Sequence, residues 1–122
     1  MRLLVTGGAG FIGANFVHST LRERPHVRMT VLDALTYAGS RESLSGAEDS
    51  ARIVEGDVTD AVLVDELVAD ADAVVHFAAE THVDNALADP EPFVRSNIVG
   101  TFTVLEAVRR QRVRLHHVST DE

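Results

Sequence analysis

The stretch Thr6-Gly7-Gly8-Ala9-Gly10-Phe11-Ile12-Gly13 constrains the fold more than any other part of this chain. It follows a short apolar run, Arg2 to Thr6, that reads as a buried strand. It precedes Phe11 to about Leu21, where Ile12, Phe16 and Val17 fall at helical spacing. Gly7, Gly10 and Gly13 therefore form G-x-x-G-x-x-G between a strand and a helix. Glycines at that spacing meet three needs: a tight turn, a backbone that can approach a pyrophosphate, and close packing of helix on strand. The helix N-terminus behind them offers unpaired N–H groups to phosphate oxygens.

The rest of the chain continues the alternation. Strands are expected at Arg28 to Leu32, Arg52 to Val54, Ala73 to His76 and Leu115 to Val118. Residues 34–50 read as loop with room for one short helix. Thr59 or Asp60 can cap a helix carrying Leu63, Leu67 and Val68 on one face. Pro90 and Pro92 suit the first turn of the longest helix, in which Val94, Ile98, Phe102, Leu105 and Val108 recur at three- and four-residue steps. Unbroken β-α alternation predicts a doubly wound, Rossmann-like α/β domain with a parallel sheet of five strands in the order 3-2-1-4-5. Ligands of such sheets bind beyond the carboxyl ends of the strands, where Gly7-Gly8, Asp33, Asp57, Phe77-Ala78-Ala79 and Ser119 to Glu122 collect.

Asp33 closes the second strand, 20 residues after Gly13. A carboxylate there can accept both ribose hydroxyls of NAD and repel the extra phosphate of NADP; the plainer reading is a strand-terminal turn residue. Asp57 closes the third strand and can accept from an adenine amino group, cap the next helix, or do both.

Composition removes several other functions. The net charge is −8 without a run of Lys or Arg, which argues against nucleic-acid partners. No apolar run is long enough for a bilayer, and the N-terminus opens directly on a strand, so no membrane association is expected and the cytoplasm is the default location. Zero cysteines exclude disulfides and thiolate metal sites. The histidines His76, His82, His116 and His117 have no further ligands at metal spacing, and His76 reads as a packed strand residue. All 11 basic residues are arginine, and Tyr37 is the only tyrosine.

The TGGAGFIG motif (6–13) resembles that of the extended short-chain dehydrogenase/reductases. LDALTYAG (32–39), FAAETHVD (77–84) and VSTDE (118–122) resemble the dTDP-glucose 4,6-dehydratases within that group. The resemblance implies NAD as cofactor and a nucleotide-sugar substrate. Gly7, Gly10, Phe11, Ile12 and Gly13 would serve the pyrophosphate. Asp33, Ala34, Leu35 and Thr36 would hold the adenosine ribose, and Asp57 and Val58 would contact adenine. Phe77, Ala78, Ala79 and Glu80 would line the nicotinamide side, with Ser96 hydrogen-bonding the cofactor. Thr81 and Thr120 would bind the sugar, Asp121 would be the general acid and Glu122 the general base. Ser40 stands where the family has Asn, and Asn85-Ala86 where it has Arg-Ser.

Eliminating water from a hexose needs a base for a carbon-bound proton and an acid for the departing hydroxyl. Adjacent carboxyl residues on a strand end point to opposite sides and can address different atoms of one sugar. The resemblance also implies a Tyr-x-x-x-Lys pair and a substrate domain, neither of which occurs in residues 1–122. The chain is therefore expected to be an incomplete NAD-binding domain, inactive alone, from a protein that is a homodimer at full length. The alternatives are a nucleotide-sugar 4-epimerase and, in a different class, a non-catalytic NAD-binding module.

Overall fold

A computed structural model describes residues 1–36, 38–80 and 83–120. Its strands are β1 (Arg2–Thr6), β2 (Arg28–Asp33), β3 (Ala51–Glu55), β4 (Ala73–His76) and β5 (Arg114–His117). All pair in parallel, in the order β3-β2-β1-β4-β5. The expected order is thus the observed one. It places the glycine turn at the middle of the sheet's carboxyl edge, where the strand order reverses.

Side chains alternate across each strand, and the registers Leu4↔Thr30 and Leu4↔Val74 align one set along one face. Leu4, Leu32 and Val74 meet Val64, Val68, Val104 and Ala107 there. The covering helices are α3 (Ala61–Ala69) and, after α2 (Ala38–Ser43), α4 (Val83–Ala88) and α5 (Glu91–Phe93), α6 (Thr101–Gln111). On the opposite face Val5, Val31 and Met29 pack against Val17 of α1 (Phe11–Glu23) and against Leu44 and Ala47. Burying each such aliphatic side chain contributes about 1.5–3 kcal/mol. The central strand β1 is covered on both faces, which is why it reads as a continuous apolar run.

Two local expectations are settled here. Asp60, not Thr59, caps α3: its carboxylate accepts from the Leu63 N–H at 3.2 Å. The long helix foreseen after Pro90 is three pieces, with a π-helical segment Val94–Gly100 between α5 and α6. The wider π turn shifts the helical phase. The buried positions are Gly100, Thr103, Val104, Ala107 and Val108, whereas Val94, Ile98, Phe102 and Leu105 are exposed. The apolar stripe that revealed the helix is, Val108 apart, not its buried face.

A dinucleotide-shaped cradle at the carboxyl edge of the sheet

The glycine turn is built by contacts that leave no room for side chains. Gly7 sits at φ +69, and a Cβ on it would lie 2.6 Å from the Ala78 backbone nitrogen. A Cβ on Gly13 would run into the Gly7 carbonyl oxygen and the Gly8 Cα, so the start of α1 rests directly on the turn. Gly8, which the motif spacing passed over, is as tightly held: its Cβ would lie 2.6 Å from the Val31 side chain. Gly10 differs. Its φ is −71, and the nearest atom to a Cβ there is the Gly7 oxygen at 3.5 Å. Gly10 therefore faces open space at the N-terminus of α1, with Phe11 86% and Ile12 64% exposed beside it. Two bare apolar side chains at a helix start, next to N–H groups with no helical partner, form a surface that a phosphate-bearing ligand can cover.

Asp33 ties this turn to the end of β2. One carboxylate oxygen accepts from the Ala9 N–H at 2.9 Å, and the other from the Leu35 N–H at 2.9 Å. That second bond holds Leu35 at φ +51, a left-handed conformation unusual for a branched residue. Both Asp33 oxygens keep lone pairs for further donors. Ala34 and Thr36 are exposed alongside.

Asp57 accepts from both the N–H and the hydroxyl of Thr59, each at 2.8 Å. It closes a local turn, and Asp60 takes the capping role. Partial burial opposes its ionisation, but the two Thr59 bonds and the Arg95 guanidinium outweigh this and hold its carboxyl below the ordinary value. Arg95 lies 4.0 Å from Asp57 and donates to the Thr59 hydroxyl at 3.2 Å. Val58 turns its side chain into the core against Gly100, leaving its backbone as what it can offer a base.

After β4, Phe77 packs on Phe16 with ring centroids 5.4 Å apart, so its side chain belongs to the α1-side core. The backbone of Glu80 is gripped at both ends by Asn97, whose Oδ1 accepts from the Glu80 N–H at 2.8 Å while its Nδ2 donates to the Glu80 carbonyl at 3.0 Å. Ala79 is exposed and Ser96, next to that clamp, is half-buried. Behind the segment, His76 is 1% exposed; its Nδ1 shares a proton with the Thr6 hydroxyl at 2.6 Å, and its Nε2 lies 3.3 Å from the Thr101 hydroxyl. Burial, with the nearby His117, lowers its pKa to about 4. His76 is thus the neutral, packed strand residue expected. Asn97, Arg95 and the threonines around His76 were invisible to motif reading, because each acts through a partner distant in sequence.

Thr120 is exposed at the carboxyl edge beyond β5. Thr81, Asp121 and Glu122 lie outside the described residues. Among the described residues no group of three or more His, Cys, Asp or Glu could hold a metal ion, and no helix is long and apolar enough to cross a membrane.

A glycine turn with no space for a Cβ at Gly7, Gly8 or Gly13, an open helix start at Gly10 and a strand-two carboxylate fit a dinucleotide. Comparison with known proteins agrees. The chain is 76% identical over 122 residues to a dTDP-glucose 4,6-dehydratase of Mycolicibacterium smegmatis, covering 100% of this chain and 37% of that one. It is 53% identical over 125 residues to the low-salt glycan biosynthesis protein Agl12 of Haloferax volcanii, covering 40% of that protein. In structure it matches a dTDP-glucose 4,6-dehydratase of Streptomyces venezuelae, solved with NAD and TYD bound, at TM-score 0.91 and 47% identity over 100% of this chain and 40% of the other. A UDP-glucose 4-epimerase of Thermotoga maritima, solved with UDP-glucose, matches at TM-score 0.85 and 30% identity over 98% of this chain and 38% of the other. The chain thus spans about 37% of the length of the first relatives it matches. The model of the GDP-mannose 4,6 dehydratase family matches residues 4–122, nearly the whole sheet and its carboxyl edge, and the chain belongs to that family.

Proposed function

We propose that this chain forms the NAD-holding part of a nucleotide-sugar 4,6-dehydratase. The substrate is a nucleotide-diphosphate hexose, dTDP-glucose before others, and the product is a 4-keto-6-deoxy sugar. The observation that carries the reading is the open Gly10 turn with Phe11 and Ile12 exposed beside it, 86% and 64%, opposite the Asp33 carboxylate. Gly7, Gly10, Phe11, Ile12 and Gly13 hold the pyrophosphate, Asp33 to Thr36 the adenosine ribose, and Asp57 with the Val58 backbone the adenine. The backbone of Phe77 to Glu80, steadied by Asn97, lines the nicotinamide side, and Ser96 adds a hydroxyl.

NAD, when bound, would accept the hydride that makes the sugar C4 alcohol a ketone and, once water is lost, would return it to C6 as a proton returns to C5, so that the cofactor is regenerated. In this chain Thr120 donates to the C4 oxygen, Thr81 binds the sugar, Glu122 takes the C5 proton and Asp121 protonates the departing C6 hydroxyl. The substrate assignment draws its support from relatives named dTDP-glucose 4,6-dehydratase at 72–76% identity. Residues 1–122 alone are catalytically silent, and the full-length protein is a cytoplasmic homodimer.

The test is turnover by NAD-loaded full-length protein. A product lighter than dTDP-glucose by one water supports the reading. A product of unchanged mass supports the second reading, a 4-epimerase, which the likeness to the Thermotoga enzyme favours. NAD binding without any sugar-dependent change in cofactor absorbance leaves only a non-catalytic module. NADP binding as tight as NAD would remove the role given to Asp33.

A further inference from the structure

At the sheet's amino edge, opposite the dinucleotide cradle, a cleft of about 320 Å³ opens beside the end of α3. Three arginines line it, Arg2, Arg28 and Arg52, one from the start of each of three neighbouring strands. Register brings them together. Arg2 pairs with Arg28, and Arg52 pairs with Thr30, two residues beyond Arg28, so all four side chains stand on the same face of the sheet. Leu67 and Ala71, both under 9% exposed, form an apolar wall.

The charges are unbalanced. Arg2 is answered by Asp70 and Asp72, each at 3.1 Å. Arg28 and Arg52 have no side-chain partner among the described residues. Side-by-side like charges on adjacent strands repel, and on a chain of net charge −8 such a cluster is a local exception. An anion seated between them would relieve that repulsion. Guanidinium groups match phosphoryl oxygens in pairs, the Thr30 hydroxyl adds a donor or acceptor, and the apolar wall suits a ring. The volume lies at the lower end of what small-ligand sites occupy, roughly 300–1,000 Å³.

We propose that this cleft is a second ligand site, which takes a small organic phosphate through Arg28, Arg52 and Thr30. It lies about five strand residues, on the order of 16 Å, from the glycine turn. It stands independently of the function proposed for the carboxyl edge.

The test is titration of the isotope-labelled protein, saturated with NAD, followed by amide chemical shifts. The probes are inorganic phosphate and phenyl phosphate, with sodium chloride at equal ionic strength as control. Phenyl phosphate should shift the amides of Arg28, Thr30 and Arg52 saturably and bind several-fold tighter than inorganic phosphate. Arg28→Gln and Arg52→Gln should each weaken it about tenfold, the loss expected for one charge-assisted contact. Arg114→Gln removes an exposed arginine from the same edge outside the cleft and should leave binding unchanged. The proposal is overturned if phosphate and phenyl phosphate bind equally, if chloride gives the same response, or if shifts are confined to residues 7–13. It is overturned as well if Arg114→Gln weakens binding as much as the cleft variants do.

Discussion

Gly10 and Gly13 carry the same letter in the motif and should fail in opposite ways. A methyl on Gly13 meets the backbone of Gly7 and Gly8, which cannot yield without parting α1 from the sheet. Gly13→Ala should therefore lower stability by roughly 2–3 kcal/mol, read from chemical denaturation, with NAD binding lost alongside. Gly10 has a backbone any residue adopts and 3.5 Å of clearance, so Gly10→Ala should leave stability within about 0.5 kcal/mol. Its methyl would occupy the space proposed for pyrophosphate, and NAD affinity should fall about tenfold or more. Equal affinity for wild type and Gly10→Ala would place the phosphates elsewhere. His76 gives a second residue-scale prediction. Its pKa is about 4 when folded, below the ordinary 6.5. The unfolded chain thus takes up a proton that the folded chain refuses. The stabilising effect is complete above pH 6.5 and is lost as pH falls towards 4, with a slope of up to about 1.4 kcal/mol per pH unit. The facing groups are the His117 ring, centroid 5.2 Å away, and the hydroxyls of Thr6 and Thr101. His76→Gln should be less stable at pH 7.5 but should flatten the pH dependence between 6.5 and 4. Parallel curves for the two proteins would mean that His76 is not the group responsible.

At the scale of elements, strands were legible and helix faces were not. The first three strands are short runs followed by Gly7, ended by Asp33 and followed by Gly56, whereas β4 runs on into Phe77-Ala78-Ala79 and β5 into Val118-Ser119; the central ones are apolar because a central parallel strand is buried on both sides. Helix 94–111 was found from Val94, Ile98, Phe102 and Leu105, yet these are 49%, 64%, 63% and 46% exposed. The face against the sheet sets small residues among Thr103, Val104 and Val108: Gly100 sits so close to Val58 that a Cβ would lie 2.6 Å from that side chain, and Ala107 is fully buried. Hydrophobicity alone ranks Phe above Gly and Ala, whereas close approach ranks them the other way. Of the site, the glycines and Asp33 could be read because their roles are local. The Asn97 clamp and Arg95 could not, because they depend on a helix meeting a loop from 17 to 38 residues away. Exposed apolar residues at helical spacing, Val94, Ile98, Phe102 and Leu105, offer a surface on which a second copy could pack. It supports the proposed homodimer. Ile98→Glu with Phe102→Glu in the full-length protein should give a monomer by light scattering, with secondary structure by circular dichroism unchanged. A dimer of undiminished affinity would assign the stripe to contacts within one chain.

Taken whole, the molecule is polarised along its strands. The amino edge carries Arg2, Arg28, Arg52 and Arg114, with Asp70 and Asp72 answering Arg2, and the carboxyl edge carries Asp33, Glu55 and Asp57. A carboxyl group that protonates a departing hydroxyl must itself carry a proton when the substrate is bound, and that is the part the proposal gives to Asp121. This gives the proposed chemistry its division of labour. With the sugar C4 alcohol oxidised to a ketone, the C5 proton becomes acidic. In that proposal Glu122 would remove it while Asp121 would donate to the C6 oxygen, and Thr120 would steady the charge that develops on the C4 oxygen. Removing either carboxyl group should slow turnover by roughly a hundredfold to ten-thousandfold. The two losses should differ in kind. In the full-length enzyme with dTDP-glucose in deuterated water, Glu122→Gln should nearly abolish solvent exchange at C5. Asp121→Asn should keep oxidation and C5 exchange while loss of water slows. Exchange abolished by Asp121→Asn and retained by Glu122→Gln would reverse the two roles. Undiminished turnover by both variants would show that the Thr-Asp-Glu end is structural, and the dehydratase reading would fail with it.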